Sequence, residues 1–116
     1  GLAMPDNGFG WFGRDLPPSS DEFVAAQADY FHHMIDCFGP DRCMFESNFP
    51  VDKFSISYPV LWNALKKIAA RYNESEQQSM FSGTASRVYK LDWCNAAERR
   101  QRRVTVRFVT WFVAAS

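Results

Sequence analysis

The sequence lacks an excess of charge of either sign. Thirteen Lys/Arg stand against thirteen Asp/Glu, so no whole-chain field draws nucleic acid or an anionic membrane. It has no apolar run near the roughly 18–20 residues of a membrane span, and no basic-then-apolar leader. Neither an anchor nor a signal peptide is therefore expected. Cysteine is scarce and odd in number: Cys37, Cys43 and Cys94 include no CxxC pair. That suits a reducing, cytoplasmic setting better than a disulfide framework or a zinc ribbon. Histidine occurs only as His32 and His33, and no internal repeat is present. What remains is a chain of 116 residues, 47% apolar and 16% aromatic, which is the composition of one small folded domain rather than a disordered segment.

The charge is unevenly placed. Residues 1–91 hold eight Lys/Arg and eleven Asp/Glu, a net of −3, while residues 92–116 hold five Arg and two acids, a net of +3. The second part reads Glu98-Arg99-Arg100-Gln101-Arg102-Arg103 and then an apolar stretch from Val104 to Val113. A boundary is expected near residue 91.

Before it, residues 1–18 carry four of the six glycines and three of the six prolines, the composition of a long loop. Ser19-Ser20-Asp21-Glu22 forms a capping box, and Phe23, Gln27, Tyr30, Met34 and Phe38 follow at nearly helical spacing, with Phe31 and Ile35 alongside. Gly39-Pro40 ends that helix. Cys43-Met44-Phe45 reads as a short strand, closed by Glu46-Ser47-Asn48-Phe49-Pro50. Pro59 opens a second helix with Leu61, Leu65, Ile68 and Tyr72 on one face. Asn73 and Glu76 cap a short third helix through Phe81, Gly83-Thr84 breaks it, and Ala85–Tyr89 makes a last helical piece. A strand among helices implies an α/β arrangement, yet an apolar strand needs neighbours on both edges, and residues 1–91 provide none. The pattern is that of part of a larger fold.

The stretch Phe38-Gly39-Pro40-Asp41-Arg42-Cys43-Met44-Phe45-Glu46-Ser47-Asn48-Phe49-Pro50-Val51-Asp52-Lys53 resembles the amidohydrolase-related family of metal-dependent hydrolases. Phe81-Ser82-Gly83-Thr84-Ala85-Ser86-Arg87-Val88-Tyr89-Lys90-Leu91 is similar to that family's closing helix, and residues 1–20 to the end of its seventh strand and the following loop. The resemblance covers residues 1–91. It implies the C-terminal part of a (β/α)8 TIM barrel, from the end of strand seven to the closing helices, mostly helical as an isolated chain. A whole barrel takes roughly 250 residues.

On that alignment the Ser47-Asn48-Phe49-Pro50 turn lies at the C-terminal end of a strand, where this fold keeps its chemistry. The family commonly has aspartate at the position of Asn48, as metal ligand or proton acceptor. An amide cannot act as a base, so Asn48 is expected to orient substrate or water, or else simply to cap the strand. Asp52 substitutes as base if its loop folds inward, and is otherwise a solvated charge paired with Lys53. Glu46 stands where the family usually has glycine, and is either functional or turned to a neighbouring loop.

His32 and His33 point about 100° apart on a helix and cannot chelate one ion, so they are expected at the surface or core edge. Cys37 and Cys43 are expected as small buried hydrophobes. In the complete fold that the resemblance implies, the Phe9-Gly10-Trp11-Phe12-Gly13-Arg14 loop overhangs the site and shapes a pocket for a ring-bearing or lactone-like substrate, or else packs into the core; Trp11 and Arg14 are its candidate substrate contacts, Arg14 for a carboxylate unless it is a solvated loop arginine. A divalent, zinc-like metal is implied for a full-length parent and none for this chain. The arginine cluster at 99–103 has no aromatic platform and is not expected to bind nucleic acid; the Val104–Val113 stretch carries an aggregation signature.

The sequence thus leads to a hydrolase acting on an ester, lactone or amide of a small-molecule substrate, with this segment alone inactive. The rival reading is a non-catalytic α/β module that self-associates through exposed strand edges.

Overall fold

A computed structural model describes residues 3–4 and 9–91. Four helices organise them: α1 (Ser20–Phe38), α2 (Tyr58–Ala69), α3 (Glu74–Gln78) and α4 (Thr84–Val88). None of the described helices is long and apolar enough to cross a membrane.

Helix α1 begins where its capping box predicts. The Ser19 amide donates to Glu22 Oε2 at 2.8 Å, and the Glu22 amide donates back to Ser19 Oγ at 3.2 Å. Two first-turn amides that have no partner within the helix are thereby satisfied. Gly39, at φ 84, ends the helix in a conformation that side-chain-bearing residues avoid, while its amide bonds the Ile35 carbonyl at 2.8 Å. The buried face of α1 is Phe23, Gln27 and Ile35. Tyr30, Met34 and Phe38, the other apolar residues in the expected stripe, are exposed instead.

Helix α2 answers with Leu61, Ala64, Leu65, Ile68 and Ala69, all buried. Pro59 lies in its first turn, where a missing amide hydrogen costs nothing. Tyr72 falls just beyond its end, and there its hydroxyl meets His32 Nδ1 at 3.0 Å. The core is the packing of α1 on α2, supplemented by Ala3, Trp11 and Ile56. A smaller cluster of Ile35, Ala69 and Met80 adjoins it, and Phe45 touches both.

Two expectations are corrected. Gly83-Thr84 does not break the last helical run. Gly83 is helical (φ −61), and a π turn at Ser79–Gly83 carries α3 into α4. The Cys43–Phe45 strand is not a strand among the described residues. Cys43 is extended (φ −104, ψ 148), but the Phe45 amide bonds a helix carbonyl, that of Met80, at 2.9 Å. A strand is defined by its ladder, and the extended segment lies against the π turn with no described strand beside it. The mostly helical character expected of the isolated segment is observed.

The π turn and α4 are tied to the approach to this segment through Asp41. Ser79 Oγ donates to its carboxylate at 2.9 Å, and Thr84 Oγ1 donates to its carbonyl at 3.2 Å. The Arg87 guanidinium reaches the same carbonyl. Residues 92–116, with the basic cluster, the apolar stretch and Cys94, lie outside the described residues, as does most of the expected end of a seventh strand.

Candidate active site

The polar residues singled out in the 46–52 turn converge. Asn48 takes a left-handed backbone conformation, φ 49, which asparagine tolerates better than most residues with a side chain. That twist folds the turn back on itself. The Asn48 amide donates to Glu46 Oε2 at 2.6 Å, and the Asp52 amide donates to the Asn48 carbonyl at 3.2 Å. The Asn48 side-chain Nδ2 then donates to Asp52 Oδ1 at 2.8 Å. One amide residue is thus bracketed by two carboxylates.

Asp52 is folded inward, 3% exposed, in the 3-10 turn Val51–Phe54. Burial pushes its carboxyl above the ordinary range; the Asn48 hydrogen bond works against that, and the nearby Glu46 charge adds to it. The alternative of a solvated loop charge does not describe this residue. Because Nδ2 faces Asp52, the Asn48 carbonyl oxygen is the end of that side chain left for a water or a substrate hydroxyl.

The loop expected to overhang the turn divides its aromatics. Gly10 (φ 67) and Gly13 (φ 77) both use the left-handed region and bracket Trp11-Phe12 in a tight reversal. Trp11, only 7% exposed, stacks between Phe9 at 5.3 Å and Phe23 at 5.5 Å, so it anchors the loop in the core. Phe12 is turned outward at 60% exposure and meets Phe54 edge-on at 6.3 Å. Arg14 lies 3.5 Å from Glu22, an exposed ion pair that holds the loop to the start of α1.

Elsewhere the candidates separate. His33 Nε2 lies 3.8 Å from Cys37 Sγ, and His32 is engaged with Tyr72, so the two histidines serve different contacts. Cys37 is exposed rather than buried: position 37 lies off the face that α1 turns to α2. Cys43 is half-buried, and burial raises its thiol pKa. Beside α1, a groove of ≈ 680 Å³ runs from Glu46 and Asp52 past Cys43 to Tyr30, Met34 and Phe38. Among the described residues no three His, Cys, Asp or Glu side chains gather as a metal site would require. Glu46, Asn48 and Asp52 on their own therefore do not fit a zinc-like centre.

Sequence reasoning did not single out Phe12 or Phe54. Neighbouring aromatics in a loop carry no periodicity that tells which faces in, and only the two glycines hinted at a reversal there.

A family model described as amidohydrolase matches residues 9–91. The chain belongs to the amidohydrolase family. It is 37% identical over 91 residues to the uncharacterized protein y4mH of Sinorhizobium fredii, covering 78% of this chain and 26% of that protein. It is 36% identical over 58 residues to the L-fucono-1,5-lactonase of Burkholderia multivorans, covering 49% of this chain and 20% of that one. The amidohydrolase segment thus spans about a quarter or less of the curated relatives it matches. No solved structure matches it.

Proposed function

We propose that this segment is the C-terminal part of a (β/α)8 barrel hydrolase that adds water to an ester, lactone or amide carbon of a small molecule. Family membership supports the hydrolase class, and the lactonase relative supports an oxygen ester or lactone. The observation that carries the site assignment is the Asn48–Asp52 pair: a buried carboxyl hydrogen-bonded to the side chain that replaces the family's usual aspartate. The barrel reading is supported by the extended backbone at Cys43, by the adjoining groove and by the apolar residues of α1 along it, where parallel strands from the rest of a barrel would pack.

In this reading Asn48 holds the attacking water through its carbonyl oxygen while its Nδ2 fixes Asp52 Oδ1. The water oxygen bonds to the substrate carbonyl carbon and its proton passes to the Asp52 carboxylate. Collapse of the adduct breaks the carbon–oxygen or carbon–nitrogen bond, and the proton returns to the departing atom. A carboxyl whose pKa is raised by burial is a better base once ionised than an exposed one. Glu46, holding the Asn48 amide, keeps the turn in shape. A zinc-like ion implied by the family would polarise the carbonyl; its ligands would come from outside this segment, and the proton path above uses this chain's residues alone.

The test is hydrolysis of a sugar lactone and of simple esters by the full-length protein carrying this segment. Asn48→Ala and Asp52→Asn should each lower kcat by about a hundredfold or more, the usual scale for a lost general base. Turnover unchanged in both variants removes these residues from the chemistry, and absence of any hydrolysis removes the activity.

A further inference from the structure

We infer that Glu46 is a positioning residue for the hydrolytic reaction: by gripping the Asn48 backbone amide it aims the Asn48 side chain at Asp52, and so sets the pair that handles the attacking water. This rests on the hydrolytic reading above and adds to it a residue whose bond, rather than whose charge, the reaction needs.

The turn takes up its own amides. That of Asn48 goes to Glu46 Oε2 at 2.6 Å, that of Phe49 to Ser47 Oγ at 3.4 Å, and that of Asp52 to the Asn48 carbonyl at 3.2 Å. Of these three acceptors Glu46 is the charged one, and its bond is the shortest, as bonds to an ionised acceptor are. It falls on the residue whose backbone is at φ 49. A residue with a side chain enters that region at a cost, and its surroundings must hold it there.

The left-handed backbone points the side chain. Glu46 fixes the Asn48 amide and the Asp52 amide fixes the Asn48 carbonyl, so the direction of the Cα–Cβ bond is set, and from there Nδ2 reaches Asp52 Oδ1 at 2.8 Å. Releasing the amide lets the backbone relax to a commoner φ and turns the Cβ away from Asp52. Asp52 needs no such help. It is buried, and its own carbonyl accepts the Ser55 and Ile56 amides at 3.0 Å each. Asn48 is therefore the partner that must be held, and Glu46 holds it. The rival role for Glu46 is a charge acting on Asp52 through space. The two roles make opposite demands on a replacement. Glutamine keeps the acceptor and drops the charge, whereas aspartate keeps the charge on a side chain one methylene shorter.

The experiment follows hydrolysis of a sugar lactone by the full-length protein, with circular dichroism to check that each variant folds. Glu46→Ala should lower kcat about tenfold, the scale of one hydrogen bond to a charged group, and leave KM nearly unmoved. Glu46→Gln should recover most of that loss, and Glu46→Asp should not. On an Asn48→Ala background, Glu46→Ala should change kcat by less than about twofold, because the two residues act along one line. Three results would each overturn the assignment: kcat unmoved in Glu46→Ala, Glu46→Asp faster than Glu46→Gln, or losses that add in full with Asn48→Ala. If Glu46→Ala does not fold, the Gln and Asp variants decide by themselves. If the parent protein hydrolyses nothing, the hydrolytic reading fails separately, and the side-chain amide NMR signals of Asn48 decide the grip. They should leave their carboxylate-bonded position in Glu46→Asp and keep it in Glu46→Gln; signals indifferent to both variants refute it.

Discussion

The α1–α2 layer and the 43–54 segment differ in how their residues are satisfied. In the layer, apolar side chains spaced at helical intervals meet one another, so Phe23, Leu61, Leu65 and Ile68 are buried by residues of the same segment. The 43–54 segment instead packs polar groups tightly into a left-handed turn and leaves the Phe54 ring in water, while Phe45 and Phe49 lean on the core that the layer supplies. A helix pair can close a core from local pattern alone. An extended segment cannot, because its backbone and its two faces need neighbours from elsewhere in sequence. Stability therefore resides in the layer, and the features with chemical character sit on the segment it supports.

That contrast breaks first at its strong side. Phe23 is buried between Trp11 and Phe31, at 5.5 and 6.1 Å. Phe23→Ala should cost about 3–5 kcal/mol, the range for emptying an aromatic site in a core. Denaturant unfolding followed by circular dichroism measures it. A loss under about 1 kcal/mol would mean that the layer does not carry the fold.

On the turn, three variants separate backbone from side chain. Asn48→Ala loses both the bond to Asp52 and the tolerance of φ 49, and should destabilise by about 2 kcal/mol. Asn48→Gly keeps the backbone and loses only the amide, so it should cost less. Asn48→Asp sets a like charge beside Asp52 and should drive that carboxyl further up. Asp52 itself works against the fold at neutral pH. Its carboxyl is raised in the folded chain, so the folded state holds the proton more tightly than the unfolded one. The protonated form then stabilises at low pH, and that contribution is lost as pH rises through the folded pKa. Asp52→Asn should accordingly raise the melting temperature at pH 7, with the gain shrinking as pH falls into the ordinary carboxylate range. A gain that stays constant with pH would mean the carboxyl is not perturbed.

What was legible in the sequence follows the same division. The capping boxes at Ser19 and Asn73, the stop at Gly39 and the buried Leu61, Leu65 and Ile68 of α2 are signals contained within a few residues, and each stands where the pattern put it, while Tyr72, expected on the same face, lies past the helix end. The Cys43–Phe45 strand was not decidable locally, because whether an extended apolar run joins a ladder depends on partners distant in sequence. Gly83 looked like a helix break, yet tertiary contacts on Met80 and Thr84 carry the helix through it as a π turn. The turn motif pointed to Asn48, Glu46 and Asp52, and the structure joins all three by hydrogen bonds. Which way Trp11 and Phe12 face was not legible, since it is set by the core behind the loop.

The smallest effects test whether the helix ends are as local as they look. Ser19→Ala and Asn73→Ala each remove the side-chain acceptor of a capping box, whose bonds span 2.8–3.2 Å at Ser19 and 3.0 Å at Asn73. Each should cost about 1 kcal/mol, and the two should add, because the caps share no partner. Glu22 refines this further. Its bonds with Ser19, and then the charge of Arg14, hold its carboxyl below the ordinary glutamate value. A lowered pKa means that the ionised form stabilises the fold at neutral pH, and the contribution fades as pH falls through the folded value. Glu22→Gln keeps a side chain able to bond the Ser19 amide and loses only the charge. It should therefore lower the melting temperature slightly at pH 7 and match the parent chain once the pH is below the glutamate range. If the difference persists in acid, the charge is not its source, and the geometry of the cap alone sets the start of α1.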